Sequence, residues 1–153
     1  MQRFHPTIIF RHRKENIKKC SLRGLETRKD FIFLSYPKDS LSHLSNYIVL
    51  NIDAPPLSSK DRNMGLLLID ATWKYSEIIY KSLPNNLIIA RSIPNGFVTA
   101  YPRKQTLCKD PKRGLASIEA LYLAYLQLGR NPKGLLDHYY WKDLFLSKNS
   151  LFS

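Results

Sequence analysis

The 153-residue sequence is poor in cysteine, in acidic residues and in long apolar runs. Its two cysteines, Cys20 and Cys108, make no pattern of a disulfide scaffold, and no Cys/His spacing resembles a zinc site. Aliphatic runs such as Leu66 to Ile69 are far too short to span a bilayer, and the first residues lack the apolar core of a signal peptide. We therefore expect no metal centre, no membrane association and a cytoplasmic location.

The charge is strongly one-sided. Against 12 acidic residues stand 24 Lys and Arg, which gives a formal net charge of +12 at pH 7. Such a surplus attracts polyanions, and nucleic acid is the first partner to consider. The basic residues concentrate within residues 1–29 and 103–113, near His5, His12 and Tyr101, whose flat rings are of the kind on which unpaired bases stack. The alternative interpretation is that both clusters are ordinary solvated faces.

Periodicity predicts an α/β fold. Short runs rich in Ile, Val, Leu and Phe predict strands, and their near-continuous apolarity is typical of a parallel sheet covered on both faces. Helical spacing predicts three helices, the second of which ends at Gly129. We expect an α/β portion over residues 1–92 and a mainly helical portion over residues 93–153. The predicted strands cover 7–12, 30–36, 47–52, 65–70 and 87–90, and the predicted helices cover 73–83, 115–128 and 135–146.

Several motifs of known chemistry are missing. The sequence has no Gly-x-Gly-x-x-Gly, no Walker loop, no Gly-x-Ser-x-Gly and no His-Glu-x-x-His. What remains is the strand Gly65–Ile69 followed by Asp70, Ala71, Thr72 and Trp73. Ligands of open α/β sheets bind at the carboxyl ends of strands, so these side chains stand where a site is expected. The alternative is that Asp70 or Thr72 only caps the next helix and Trp73 only fills the core.

Motifs along the chain resemble those of the ribosomal RNA aminocarboxypropyltransferases and, more distantly, of the DTW-domain proteins that modify tRNA uridine. Asp70-Ala-Thr-Trp73 is similar to the signature Asp-x-(Ser/Thr)-Trp, although the family's Asn-Pro-Val-Asn-Tyr-Gly stretch is changed to Tyr-Pro-Arg-Lys-Gln here. The other matching segments, in chain order, are Lys18–Leu25, Tyr47–Leu50, Pro56–Asp61, Arg91–Pro94, Phe97–Pro102, Leu115–Leu121 and Tyr140–Asn149.

The resemblance implies a SPOUT-like fold, in which a mostly parallel sheet carries a trefoil knot, and it implies a monomer. The implied activity is transfer of the 3-amino-3-carboxypropyl group from S-adenosylmethionine to a uridine or pseudouridine-type base, with small-subunit rRNA favoured. Asp70 is the candidate catalytic residue, either as the acid–base group, because the attacking imide nitrogen must lose a proton, or as a contact of the cofactor's amino group. The implied cofactor-binding residues are Ser21, Ile69, Trp73, Ile93, Arg113 and Ser117. The candidate RNA-binding residues are Arg11, Arg13, Lys14, Lys18, Lys19, Arg103 and Lys104.

Three alternatives stay open at this stage: a tRNA uridine aminocarboxypropyltransferase, a SPOUT-type RNA methyltransferase, and a non-catalytic RNA-binding factor of ribosome assembly. Two lesser expectations concern the C-terminal portion. Glu119 is expected to be a solvated acid on the polar face of its helix, although the family motif includes it. Tyr139, Tyr140 and Trp141 are expected to lie in the core.

Overall fold

The structure is a computed structural model, and it describes residues 5–12, 22, 24–41, 44–51, 53–71, 73–84, 88–101 and 115–151. In these residues the structure has the five predicted strands and the three predicted helices in the predicted order, and two of the strands have the predicted bounds. The elements in chain order are β1 (Thr7–His12), β2 (Phe31–Tyr36), β3 (Tyr47–Leu50), a short 3-10 helix (Ser59–Asp61), β4 (Gly65–Asp70), α1 (Trp73–Lys81), β5 (Ile88–Arg91), α2 (Ser117–Gln127) and α3 (Lys142–Lys148).

The five strands form one all-parallel sheet in the order β2-β1-β4-β3-β5. The predicted α/β class with a parallel sheet is therefore confirmed. Because β1 and β4 are direct neighbours, residues far apart in the sequence become cross-strand partners. In particular, Arg11 pairs with Asp70 at the carboxyl end of both strands.

Both faces of the sheet are covered, which explains the continuous apolar runs. In β1, Ile9 belongs to one buried cluster, whereas Ile8 and Phe10 belong to the other. In β4, Leu68 and Leu67 alternate in the same way. We call these the α2 face and the α1 face, after the helix packed on each. Burying a side chain of this size stabilises the fold by about 1.5–3 kcal/mol, and a register slip of one residue would exchange the two faces.

Helix α2 is buried on most of its surface, because it lies between the sheet and the C-terminal segments. It ends as the sequence predicts. Gly129 has φ +70°, its N–H donates to the carbonyl of Leu126, and the N–H of Arg130 donates to the carbonyl of Tyr125. This pair of bonds is a Schellman motif, and its left-handed residue favours glycine.

The last helix begins later than the sequence predicts. The prediction of a helix from Leu135 is wrong, because residues 133–138 form consecutive turns and α3 begins at Lys142. Gly134, within these turns, has φ +85°, a backbone conformation that favours glycine. The expectation that Tyr140 lies in the core is also wrong, since it is 86% exposed and packs edge-to-face on Trp141. Tyr139 is buried and Trp141 is partly buried against the core, as expected.

None of the helices in the described part of the chain is long and apolar enough to cross a membrane.

Candidate functional site

A buried acid stands at the carboxyl edge of the sheet. Asp70 is the last residue of β4 and is only 4% exposed. The Arg11 Nε, on neighbouring β1, donates to Asp70 Oδ2 at 2.9 Å. The Ser117 hydroxyl, at the start of α2, donates to Asp70 Oδ1 at 3.4 Å. Three segments separated in sequence therefore meet at one carboxylate.

Arg11 is held more tightly than its place in a basic cluster suggests. Its side chain is 11% exposed, and the guanidinium carbon lies 5.0 Å from the centre of the Phe33 ring. The combination of a buried ion pair and a cation–π contact fixes the guanidinium beside Asp70. This geometry does not match the expectation of a solvent-facing phosphate contact, so we reassign Arg11 to the carboxylate.

His12, the next residue, is not available as an open stacking platform. It is buried, and its ring stacks on Tyr75 of α1 with the ring centres 3.9 Å apart. The expectation that a base stacks on His12 is therefore not supported by its surroundings.

The other candidate residues lie around the same edge, on both faces. Ile69 is partly buried against the α1 face, and Ile93 is partly buried against the α2 face. Trp73 is the first residue of α1, which begins just after Asp70. Ser117, already described, contacts Asp70 from the α2 face. The remaining predicted residues, Ser21, Arg113, Arg13, Lys14, Lys18, Lys19, Arg103 and Lys104, lie outside the described residues.

A second ion pair organises the neighbouring part of the edge. Arg91 ends β5, and its Nε lies 3.4 Å from Asp61 Oδ2. Asp61 also accepts the N–H of Ser58 at 3.2 Å and closes a capping box on the short 3-10 helix. The N–H of Leu57 donates to the Ser92 carbonyl at 2.8 Å. The segment that follows β3 is thereby tied to the end of β5.

The expectation for Glu119 is wrong: none of its surface is exposed. It accepts the backbone N–H groups of Ala100 and Ala116, both at 2.8 Å. The helical spacing around Glu119 predicts the helix itself. It does not predict that residues 99–100 and 139, which are distant in the sequence, enclose the Glu119 side chain. Its place three residues after the N-cap is the one local feature that indicates a bonding role.

Two groups with shifted pKa values, Tyr125 and Arg130, lie at the opposite, amino edge. Burial raises the pKa of Tyr125, whose hydroxyl is hydrogen-bonded to the Thr7 hydroxyl at 2.7 Å. Burial lowers the pKa of Arg130, whose Nη2 donates to the carbonyls of Arg62 and Met64. These bonds tie the C-terminal end of α2 and Arg130, which follows it, to β1 and to the segment that precedes β4.

Within the residues that the structure describes, no three His, Cys, Asp or Glu side chains are grouped so that they could hold a metal ion. What the carboxyl edge does offer is a carboxylate in a fixed position, an arginine, a hydroxyl and the start of a buried helix. These are the polar groups that the described residues bring together at this edge.

No protein-family model matches the sequence, and no curated protein matches it. Among solved structures, the chain is similar to the SAM-dependent rRNA:acp-transferase Tsr3 from Vulcanisaeta distributa. The two share 24% sequence identity with a TM-score of 0.73, over 96% of this chain and 80% of that one. The likeness shows that both chains have the same fold.

Proposed function

We propose that this protein transfers the 3-amino-3-carboxypropyl group of S-adenosylmethionine to a base of ribosomal RNA. The observation that carries the proposal is the position of Asp70. The acid that begins the Asp-Ala-Thr-Trp segment is buried at the carboxyl edge, in the fold that a SAM-dependent rRNA:acp-transferase also has. The net charge of +12 supports an RNA substrate.

Arg11 and Asp70 are the proposed contacts of the amino-acid end of S-adenosylmethionine. That end carries one ammonium and one carboxylate, and the Arg11–Asp70 pair offers one charge of each sign. When bound, S-adenosylmethionine supplies a carbon activated by the adjacent sulfonium, with 5′-methylthioadenosine as the leaving group. Ser21, Ile69, Trp73, Ile93, Arg113 and Ser117 are the proposed residues that hold it.

Asp70 is the proposed catalytic residue. The acceptor nitrogen loses a proton as its bond to carbon forms, and a carboxylate oxygen of Asp70 is the proposed acceptor of that proton. Arg11 and Ser117 keep the two oxygens in fixed directions, so that catalysis is mostly positioning. An Asp70→Asn variant that keeps both S-adenosylmethionine binding and turnover would refute this role.

The decisive experiment uses two labels. The protein is incubated with small-subunit rRNA or tRNA and with S-adenosylmethionine labelled in the methyl or in the carboxyl carbon. We expect only the carboxyl label to enter RNA, and only rRNA to accept it. Asp53→Asn, which changes an exposed acid after β3, is the matched control for Asp70→Asn.

Each alternative predicts a different result. Transfer of the methyl label identifies a methyltransferase, and labelling of tRNA identifies a tRNA enzyme. Calorimetric titration without any binding of S-adenosylmethionine identifies a non-catalytic RNA-binding factor.

RNA docking is proposed for Arg13, Lys14, Lys18, Lys19, Arg103 and Lys104. Contacts with phosphates release counterions, so the affinity for RNA should fall steeply as salt is raised. A flat salt dependence would contradict the assignment.

The proposal extends to the SPOUT-like knotted topology, a monomeric state and a cytoplasmic location. Size-exclusion chromatography with light scattering tests the monomer. The boundary between portions 1–92 and 93–153 stays a prediction, and limited proteolysis tests it.

A further inference from the structure

A buried carboxylate joins three segments beside the candidate site. Glu119 lies in the first turn of α2 with none of its surface exposed. Its Oε1 accepts from the Thr99 hydroxyl at 2.6 Å and from the Ala116 N–H at 2.8 Å. Its Oε2 accepts from the Ala100 N–H at 2.8 Å and from the Tyr139 hydroxyl at 3.0 Å. Four donors from outside the helical hydrogen-bond pattern thus converge on one side chain.

These contacts exceed what a helix cap requires. A glutamate at the third helical position that accepts the N-cap N–H is an ordinary capping arrangement, and it accounts for Ala116 alone. The other three donors belong to the turn at residues 99–101 and to the segment that precedes α3. A buried carboxylate is costly unless donors surround it, and these donors would in turn lack acceptors without it.

The segments that Glu119 holds are those that border the site. Ala116 directly precedes Ser117, whose hydroxyl contacts Asp70. The Thr99 hydroxyl also accepts the N–H of Tyr101 at 3.0 Å, which organises the turn. One carboxylate therefore sets the separation between this turn and the start of α2.

We propose that Glu119 is a positioning residue for S-adenosylmethionine: its carboxylate holds the turn 99–101 and the start of α2 in the arrangement that presents Ser117 to Asp70. The proposal rests on the proposed function. Glu119 itself, being fully enclosed, acts through the segments it holds and touches no reacting atom.

Glu119→Gln is the sharpest test, because the amide keeps the size of the side chain and removes one acceptor. In either orientation its NH2 group faces one backbone N–H, that of Ala116 or that of Ala100, which cannot turn to accept a hydrogen bond. We expect the Kd and KM for S-adenosylmethionine to rise about tenfold, equivalent to ~1.4 kcal/mol, with the Kd for RNA unchanged.

Two variants serve as references. Glu26→Gln is the matched control, because exposed Glu26 also accepts a backbone N–H, that of Gly24 at 2.8 Å. It should bind S-adenosylmethionine as the wild type does. Tyr139→Phe removes one donor and leaves both oxygens of Glu119 in place, so its effect should lie between those of the control and of Glu119→Gln.

A readout independent of activity is the hydrogen exchange of the Ala100 and Ala116 amides. At least one of the two should exchange faster in Glu119→Gln, because the glutamine keeps an acceptor oxygen for only one of them. The amide of Leu67 in central β4 should exchange as in the wild type. If Glu119→Gln does not fold, Tyr139→Phe carries the same measurements.

The proposal is overturned if Glu119→Gln binds S-adenosylmethionine with an unchanged Kd. It is equally overturned if the variant loses affinity for RNA and for S-adenosylmethionine together with global stability, because the role is then structural. If the wild type itself binds no S-adenosylmethionine, the proposed function fails. Hydrogen exchange still tests the role of Glu119 separately: if both the Ala100 and the Ala116 amides exchange in Glu119→Gln as they do in the wild type, Glu119 does not hold these segments.

Discussion

Replacing Arg11 with methionine removes the guanidinium and keeps an apolar side chain of similar length against Phe33. The change leaves Asp70, which is 4% exposed, without its cation. Two unit charges about 4 Å apart attract each other by about 4 kcal/mol at an effective dielectric constant of ~20. Removing one partner of a buried pair costs about 3–5 kcal/mol. Because 11% of the Arg11 side chain reaches solvent, we expect a loss near the lower end, about 3 kcal/mol.

Urea and thermal unfolding measure this loss. For a domain of this size, 1 kcal/mol corresponds to roughly 2–4 °C in Tm, so Arg11→Met should lower Tm by roughly 6–12 °C. The double variant Arg11→Met/Asp70→Asn should be more stable than the sum of the single effects predicts, with a coupling of about 2 kcal/mol, because it leaves no uncompensated charge.

The chain contains a matched control for burial. Arg28 Nε and Asp30 Oδ1 are also 2.9 Å apart, but their side chains are 27% and 47% exposed. Exposed pairs contribute about 0.2–1 kcal/mol, so Arg28→Met should cost far less than Arg11→Met. Equal losses in the two variants, or additive effects in the double variant, would refute the argument that burial makes the Arg11–Asp70 pair strong.

Two other predictions concern the backbone and pH. Gly24 has φ +98°, and a Cβ there would lie 2.4 Å from the His138 ring, whereas Gly96 has φ +106° and open space around it. Gly96→Ala should lower the free energy of unfolding by ~1–2 kcal/mol, the conformational cost alone. Gly24→Ala should lower it by more, because the new Cβ also collides with the His138 ring. Equal losses of stability in thermal unfolding would show that His138 does not pack against Gly24. Partial burial raises the pKa of the Asp30 carboxyl, but the hydrogen bond and charge of Arg28 outweigh it and hold that pKa below its usual value. The contribution of the Asp30 carboxylate to the free energy of unfolding is therefore present above the unfolded pKa of about 3.9, and it is lost as the pH falls through the lower folded value. Asp30→Asn should reduce the acid-induced loss of stability by about 0.2–1 kcal/mol. An unchanged loss of stability in acid would contradict the prediction.

Local patterns predicted much of the fold. The bounds of β1 and β4 agree with the prediction, because a strand buried on both faces is a short apolar run with polar or turn residues at its two ends. The end of α2 agrees too, since Gly129 supplies the left-handed residue of the cap. Both features depend on neighbours within a few residues.

The start of α3 shows where local pattern misleads. Apolar residues from Leu135 onward have helical spacing, but Leu135 and Leu136 lie in the consecutive turns at residues 133–138. The Tyr139 hydroxyl bonds Glu119, 20 residues away, so packing on α2 competes with the helical pattern.

The amino-acid sequence by itself determined the class of fold, the position of Asp70 at a strand end and the excess of positive charge. These follow from residue type, short-range spacing and counting. Only the tertiary structure decided the surroundings of Arg11 and of Glu119. The strand order places Arg11 beside Asp70, 59 residues away in the sequence, and the packing of α2 encloses Glu119. Burial and charge pairing depend on which distant segments meet, and a residue's neighbours in the chain do not specify that meeting.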